Sequence, residues 1–539
     1  MKLRTLIFSL TGSGIIAGAS AATAPINYDT TTGAVVPGTQ PFDFPISTKT
    51  GGLGAMSVFN VKSAPYNGKG DGVTNDTTAI QTAINDAEAQ GGIVYLPGGT
   101  WMFSALRVDG ANCIIQGAGK DITILKAITG TAVTLVSFGS TSAAPYSAIR
   151  DLTIDASGAT AGSNYALLLI NSSFSEVANI HVLSAYNIGI GFTSCQSLRI
   201  HDSVVENSRN GVGILTNTSD CSGTTISYCS ILNSAQSGIQ ILQSAETVDH
   251  CYISGAGPTG TSFAGVYVAQ GARRCTVSNN IINSCNSGID VSWGVVSGSG
   301  GGPDNSEGII VTGNNCSNNR GVGISTASNG TIIADNICMD NGSASKLDGS
   351  GIGVTTAKNV LIRGNVVGNS LGVSLQKYGI LFHSVNGDPA NNTVLGNDLI
   401  GNAILPIGAE DGAGQLIALP PGQIFAHNLG LDNGIRKYTT PYTVTSADQG
   451  AVFSNTGAGA AVTFTLPPAE EGLTYTFAVY PSVLVKIQAT NNNFIYIGNS
   501  TSGANGFISN GNNGSTITLK AVSTSRWYAV GHEGTWPFN

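Results

Sequence analysis

Charge is scarce in this chain. Asp, Glu, Lys and Arg make up 10% of its 539 residues, and the net charge is −8. The few Lys and Arg residues are scattered, so the footprint that a phosphate backbone requires is missing and no nucleic-acid partner is expected. Long apolar runs are missing too. The stretch Leu6 to Ala17 is short and broken by Gly and Ser, and no later segment supplies the ~20 apolar residues of a membrane span. Gly is abundant at 72 residues but has no three-residue period, which excludes a collagen-like chain. A hydrophobic content of 41% excludes a wholly disordered one.

What is present begins with Lys2 and Arg4, the apolar stretch, and then Ala19, Ser20 and Ala21. That order of charge, apolar core and small residues is the signature of a secretory signal peptide. The mature chain is expected to start near Ala22 and to be secreted, periplasmic or held at the cell surface.

The middle of the chain repeats a Gly-aliphatic-x-aliphatic motif. Its copies begin at Gly189, Gly211, Gly238, Gly265, Gly288, Gly321, Gly351 and Gly379. Each predicts a short strand whose alternate residues point inward. Between the copies runs an aliphatic residue followed three positions later by Asn, Ser or Cys and five positions later by an apolar residue, as in Val277/Asn280/Ile282 and Ile362/Asn365/Val367. A repeat of about 20 to 34 residues describes the coils of a solenoid. Each coil buries its apolar alternates against its neighbours, and Asn at one turn position can form a ladder along the stack. Nine cysteines in an exported chain would ordinarily suggest disulfides. Here Cys229 and Cys251 fall in the Asn turn column and Cys316 and Cys338 in an inward column, so they are expected to be small core residues.

An end cap is expected from Asp76 or Asn75 as helix N-cap, with Ala79, Ile80, Ala83, Ile84 and Ala87 at helical spacing and Gly91-Gly92 as the stop. Ile93 to Tyr95 reads as a buried strand. The stretch from Phe59 through Gly68-Lys69-Gly70-Asp71-Gly72 to Ile80, followed by Gly91 to Trp101, resembles the first coils of the pectate-lyase-like superfamily. That superfamily includes pectate lyases, polygalacturonases and phage tail-spike depolymerases. The resemblance implies an all-β chain: a right-handed parallel β-helix with an N-terminal capping helix. Beyond residue 435 the coil motif stops, and alternating segments such as Ala461 to Leu466 and Thr474 to Val479 predict a small β-sandwich-like module. The expected organisation is a signal peptide over 1–21, an extension over 22–54, the β-helix over 55–435 and the β-rich module over 436–539.

The interior is filled, so chemistry must lie outside. The outward residue of each Gly motif gives the column Gly191, Gly213, Gln240, Tyr267, Asp290, Gly323, Gly353 and Leu381. Polar and aromatic groups flanked by small ones suit a groove for a sugar chain. Ser292 and His383 lie two positions further on, and long insertions occur nearby, the largest from Trp293 to Glu307. Glycoside hydrolysis uses two carboxyl groups about 5 to 9.5 Å apart, for which Asp290, Asp304 and Glu307 are the candidates. Gln240, Tyr267, Ser292, Trp293, Arg273 and His383 are candidate substrate contacts. The Asp cluster, His-Gly and Arg-x-Lys elements of polygalacturonases are missing. Resemblance to pectate lyases implies a basic proton abstractor, for which Arg273, Arg274, Tyr267, His250 and His383 are candidates. It also implies calcium on the uronate if the enzyme is a lyase; a hydrolase requires no cofactor, and no metal ligands are assigned. The expected function is cleavage of an extracellular polysaccharide by hydrolysis or β-elimination, in a monomer or homotrimer. The alternatives are a phage-type tail-spike depolymerase and a non-catalytic glycan-binding adhesin.

Overall fold

The computed structural model describes strands 26–29 and 34–37, and residues 56–539 apart from 163, 217–220, 258–262, 270, 292–306, 344–348, 372, 374, 385–388, 412, 418, 421, 427 and 430–434. The signal-peptide segment lies outside the described residues. Within the first 55 residues, Ile26–Asp29 and Ala34–Pro37 pair antiparallel.

From residue 56 the chain winds as a right-handed parallel β-helix with three strands per coil. In one coil these are Thr276–Ser278, Ile281–Asn283 and Ser287–Val291. Strands of the third kind stack into a twelve-stranded sheet running from Leu106–Val108 to Leu405–Asp411. Every registered pairing between its neighbours is parallel. The inward side chains form one continuous apolar core. Val266, Val268, Ile289, Val291, Ile380 and Phe382 are all fully buried in it.

The corner between the first and second strands of a coil is made by a single left-handed residue. Asp202, Tyr228, His250, Asn279 and Asp335 take it with φ between 51° and 57°, and Gly313, Gly364 and Gly396 with φ between 63° and 68°. The next residue points inward and carries the ladder. Asn280, Asn314, Asn336, Asn365, Asn397 and Asn428 join through Nδ2 to Oδ1 bonds of 2.8 to 3.0 Å. The backbone N–H of Cys251 donates into the first of them at 2.8 Å. All nine cysteines are buried, and none forms a disulfide. A second amide column absent from the sequence reading, Asn319, Asn341, Gln376 and Asn402, lines the turn after the second strand. Another inward position is ionisable: Glu246 lies between Thr224 and Cys275, one residue before the paired Thr225, Thr247 and Thr276.

Helix Thr77–Gln90 covers the N-terminal end of the stack and buries Ile80, Ala83, Ile84 and Ala87. Burial of each Ile contributes roughly 1.5 to 3 kcal/mol. Asp76 is the N-cap residue, but its carboxylate bonds the N–H groups of Lys69 and Gly70 at 2.7 and 2.9 Å rather than the helix. It ties down the preceding loop instead. Strand Gly92–Leu96 alternates, with Val94 and Leu96 inward and Ile93 and Tyr95 half-buried, so it is not buried on both faces. Beyond the coils, a seven-stranded and a four-stranded sheet enclose a separate core built on Phe453, Phe464, Tyr475, Phe477 and Trp527.

Candidate active site on the outer face of the twelve-stranded sheet

Strand register defines the outward column as Leu168, Gly191, Leu215, Gln240, Tyr267, Asp290, Ser325, Gly353, Leu381 and Gly408. Gly213 and Gly323 do not belong to it, which corrects the motif-based column at two coils. There the inward pairs are Ile214 with Thr216 and Ile324 with Thr326, and both threonines are fully buried. A threonine in the second inward place hides the true motif, and the Gly-Val-Gly-Ile preceding it mimics one two residues early.

Gln240 and Tyr267 are half-buried neighbours in this column. Asp290 follows, 7% exposed, and its Oδ1 accepts a hydrogen bond from Ser325 Oγ. Ser292, Trp293 and Asp304 lie outside the described residues. Glu307 bridges to Arg273 at an exposed turn, with Nη1 and Oε1 3.5 Å apart. His383 stands on strand Tyr378–Ser384, 6% exposed, in register between Thr355 and Glu410.

Sequence reasoning missed two ionisable neighbours of the His383 strand. Glu410, on strand Leu405–Asp411, is 4% exposed and occupies the neighbouring rung, about 4.8 Å away between backbones. Tyr378 is 4% exposed and hydrogen-bonds Glu410. Burial first, then that bond and the carboxylate charge, push the phenol up to about 12. The Tyr378 ring lies outside the coil over Gly408, where an added Cβ would come within 3.1 Å of it. Tyr378, His383 and Glu410 therefore form one polar cluster on the outer face.

Spacing separates this cluster from Asp290. Four inter-strand steps separate Asp290 from the strand of Glu410, or about 19 Å along the axis. That is twice the widest separation of a glycosidase pair. Asp411 is engaged in its own turn, accepting from the N–H groups of Ala413 and Gln415. Among the described residues no group of three or more His, Cys, Asp or Glu could hold a metal ion.

The remaining base candidates, His250 and Arg274, lie on the neighbouring sheet and its corner, as do the ionisable residues Asp249 and Arg363. His250 Nδ1 and Asp249 Oδ2 are 2.6 Å apart, and the imidazole stacks on Tyr228 with centroids 5.1 Å apart. Arg363 is exposed and Arg274 takes a left-handed turn position. His201 is held between Glu176 at 3.0 Å and Asp202 at 2.7 Å. Its pKa is raised, by the Glu176 bond above all.

Comparison with known proteins bears on this face. The family model for rhamnogalacturonase A/epimerase, pectate lyase-like, matches residues 58–300, and that for the right-handed β-helix region matches 210–415. Alginate lyase 7 of Azotobacter vinelandii is 45% identical over 80 residues, 13% of this chain and 9% of that protein. The mannuronan C5-epimerase AlgE4 of the same organism is 40% identical over 81 residues, 14% of each. The chain thus spans only a small part of the length of these relatives. The solved A-module of mannuronan C5-epimerase AlgE6, also from Azotobacter vinelandii, superposes with a TM-score of 0.56 at 19% identity. It covers 69% of this chain and 98% of the module. Among the described residues no helix is long and apolar enough to cross a membrane.

Proposed function

We propose that this chain, which belongs to the pectate-lyase-like superfamily of right-handed β-helix proteins, is an exported enzyme that removes the C5 proton of a uronate residue in a polysaccharide. The observation that carries the reading is the cluster of Tyr378, His383 and Glu410 on the outer face. The names of the two relatives, a lyase of alginate and a C5-epimerase of mannuronan, describe reactions that can share this first step. The 19 Å gap between Asp290 and Glu410 speaks against hydrolysis by that pair.

His383 acts as the base, since imidazole exchanges protons near neutrality. The C5 proton passes to it, and the electron pair moves into the uronate carboxyl group. Tyr378 holds its proton up to about 12 and acts as the acid, aligned by Glu410. Donation to the C4 glycosidic oxygen breaks that C–O bond and leaves a C4=C5 double bond. Return of a proton to the opposite face of C5 inverts the sugar instead. Both outcomes need one base and one acid on a rigid strand.

The test is incubation with alginate, polymannuronate and polygalacturonate in deuterated water. Products are read by ultraviolet absorbance of the double bond and by deuterium at C5. Tyr378→Phe and His383→Gln are expected to lower either signal by roughly 10²- to 10⁴-fold. New reducing ends with neither a double bond nor deuterium at C5 would make the enzyme a hydrolase and overturn the reading.

A further inference from the structure

We propose that the seven-stranded sheet near the C-terminus carries a second glycan-binding surface, selective for an anionic polysaccharide and separate from the β-helix face. Register aligns Thr474, Lys520, Tyr528, Tyr496 and Thr501 in one row across five strands. The row spans four inter-strand steps, about 19 Å. Its side chains point away from the core, because the alternating residues Tyr475, Leu519, Trp527 and Ile495 are fully buried. Lys520 and Arg526 are exposed, and Tyr496 and Tyr528 are half-buried.

Three properties mark the row as a binding surface rather than only a sheet-stabilising one. The Tyr496 and Tyr528 rings stack at 4.6 Å and 9°, forming an upright ridge, and Arg526 sits 6.0 Å from the Tyr496 ring. Such a cross-strand pair stabilises a sheet by about 0.2 to 1 kcal/mol, which explains the rings but not the charges beside them. Second, among the described residues neither Lys520 nor Arg526 has an acidic partner, although the chain is acidic overall. Third, the adjoining outward row is small: Thr476 and Thr518 share a 2.9 Å hydroxyl contact, and a Cβ at Gly531 would meet nothing within 4 Å. An aromatic ridge with unpaired cations beside a low, hydroxyl-lined floor suits a sugar chain bearing carboxylates or sulfates. Two cations are too few for a nucleic-acid footprint.

Binding is tested on the full chain in a His383→Gln background, which prevents turnover, using polygalacturonate, neutral dextran and a single-stranded oligonucleotide as probes. The surface is expected to add a polygalacturonate site that weakens with salt and is roughly tenfold weaker in Lys520→Glu/Arg526→Glu. Tyr528→Ala is expected to weaken the same site, and dextran is expected not to occupy it. With His383 restored, the charge-reversed chain is expected to keep its turnover of short oligosaccharides, so failure here is distinguishable from failure of the lyase reading. Unchanged polygalacturonate affinity in the charge-reversed chain, or equally tight binding of dextran or the oligonucleotide, overturns the proposal.

Discussion

Replacing Glu246 by Gln is expected to stabilise the protein, and by more at higher pH. The side chain points into the β-helix and is 1% exposed, and neither carboxyl oxygen has a hydrogen-bond partner. Thr216 Oγ1, which accepts the Leu242 N–H at 2.7 Å, favours the ionised carboxyl but does not offset its burial. Burial pushes the carboxyl from an ordinary 4.5 up to about 8, with Thr216 pulling weakly the other way. Between those values the unfolded chain releases a proton that the native chain keeps, so stability falls by 1.36 kcal/mol per pH unit as pH rises. The loss is about 3 kcal/mol near neutrality and levels off above about pH 8. Gln keeps the shape, removes the titration and can donate to Thr224 Oγ1, which is also buried without a partner. Urea midpoints of both chains should nearly coincide near pH 4.5 and diverge as pH rises. A constant difference across that range, or a wild-type curve with no decline, would refute a buried neutral acid at this position.

Three further expectations follow from other sites. Asn336→Ala removes a ladder member that accepts from Asn314 N at 2.9 Å and donates to Val311 O at 3.0 Å. It should cost about 3 kcal/mol in denaturant titration, because buried groups lose their partners. Asp290→Asn keeps the acceptor for Ser325 Oγ and lies about 14 Å along the axis from the rung of His383. It should leave turnover within about tenfold of wild type, and a complete loss would return the catalytic role to Asp290. His201 gains its charge on folding through Glu176 and Asp202, so its stabilisation is fully present below about pH 6.5 and is lost as pH rises through its raised native value. His201→Gln should abolish that pH dependence of the melting temperature.

The repeat was legible wherever the alternation of inward residues was apolar. Val266/Val268 and Ile289/Val291 give the register directly. Thr216 and Thr326 broke the pattern because a buried threonine fills an inward site as well as valine does, and hydropathy alone does not distinguish the two uses. The amide ladder was legible because Asn recurs at fixed distance from the inward aliphatics. The second amide column was not, since Gln376 and variable loops interrupt it. Tyr378 was hidden by parity: two residues before Ile380 it reads as inward, yet at the strand start its ring turns out over Gly408. Glu410 was hidden because Pro406 takes the motif glycine's place in its strand. Asp290 stood out as an isolated acid on a strand, but the distance to another carboxylate depends on coil stacking.

The amide ladder also has a direction. From Asn280 to Asn397 each Nδ2 donates to the Oδ1 of the next amide toward the C-terminus, and from Asn314 to Asn428 each Oδ1 accepts from the amide before it. Six side-chain dipoles therefore lie head to tail along the solenoid axis and polarise one another. A column of this kind behaves as a filament whose links strengthen with the length of the run. A cut at its centre leaves two short filaments, whereas one at its tip only shortens it, so equivalent substitutions at Asn336 and Asn280 should be unequal in cost. Adding or removing one whole coil would preserve the polarity, which makes the coil the natural unit of change in this protein.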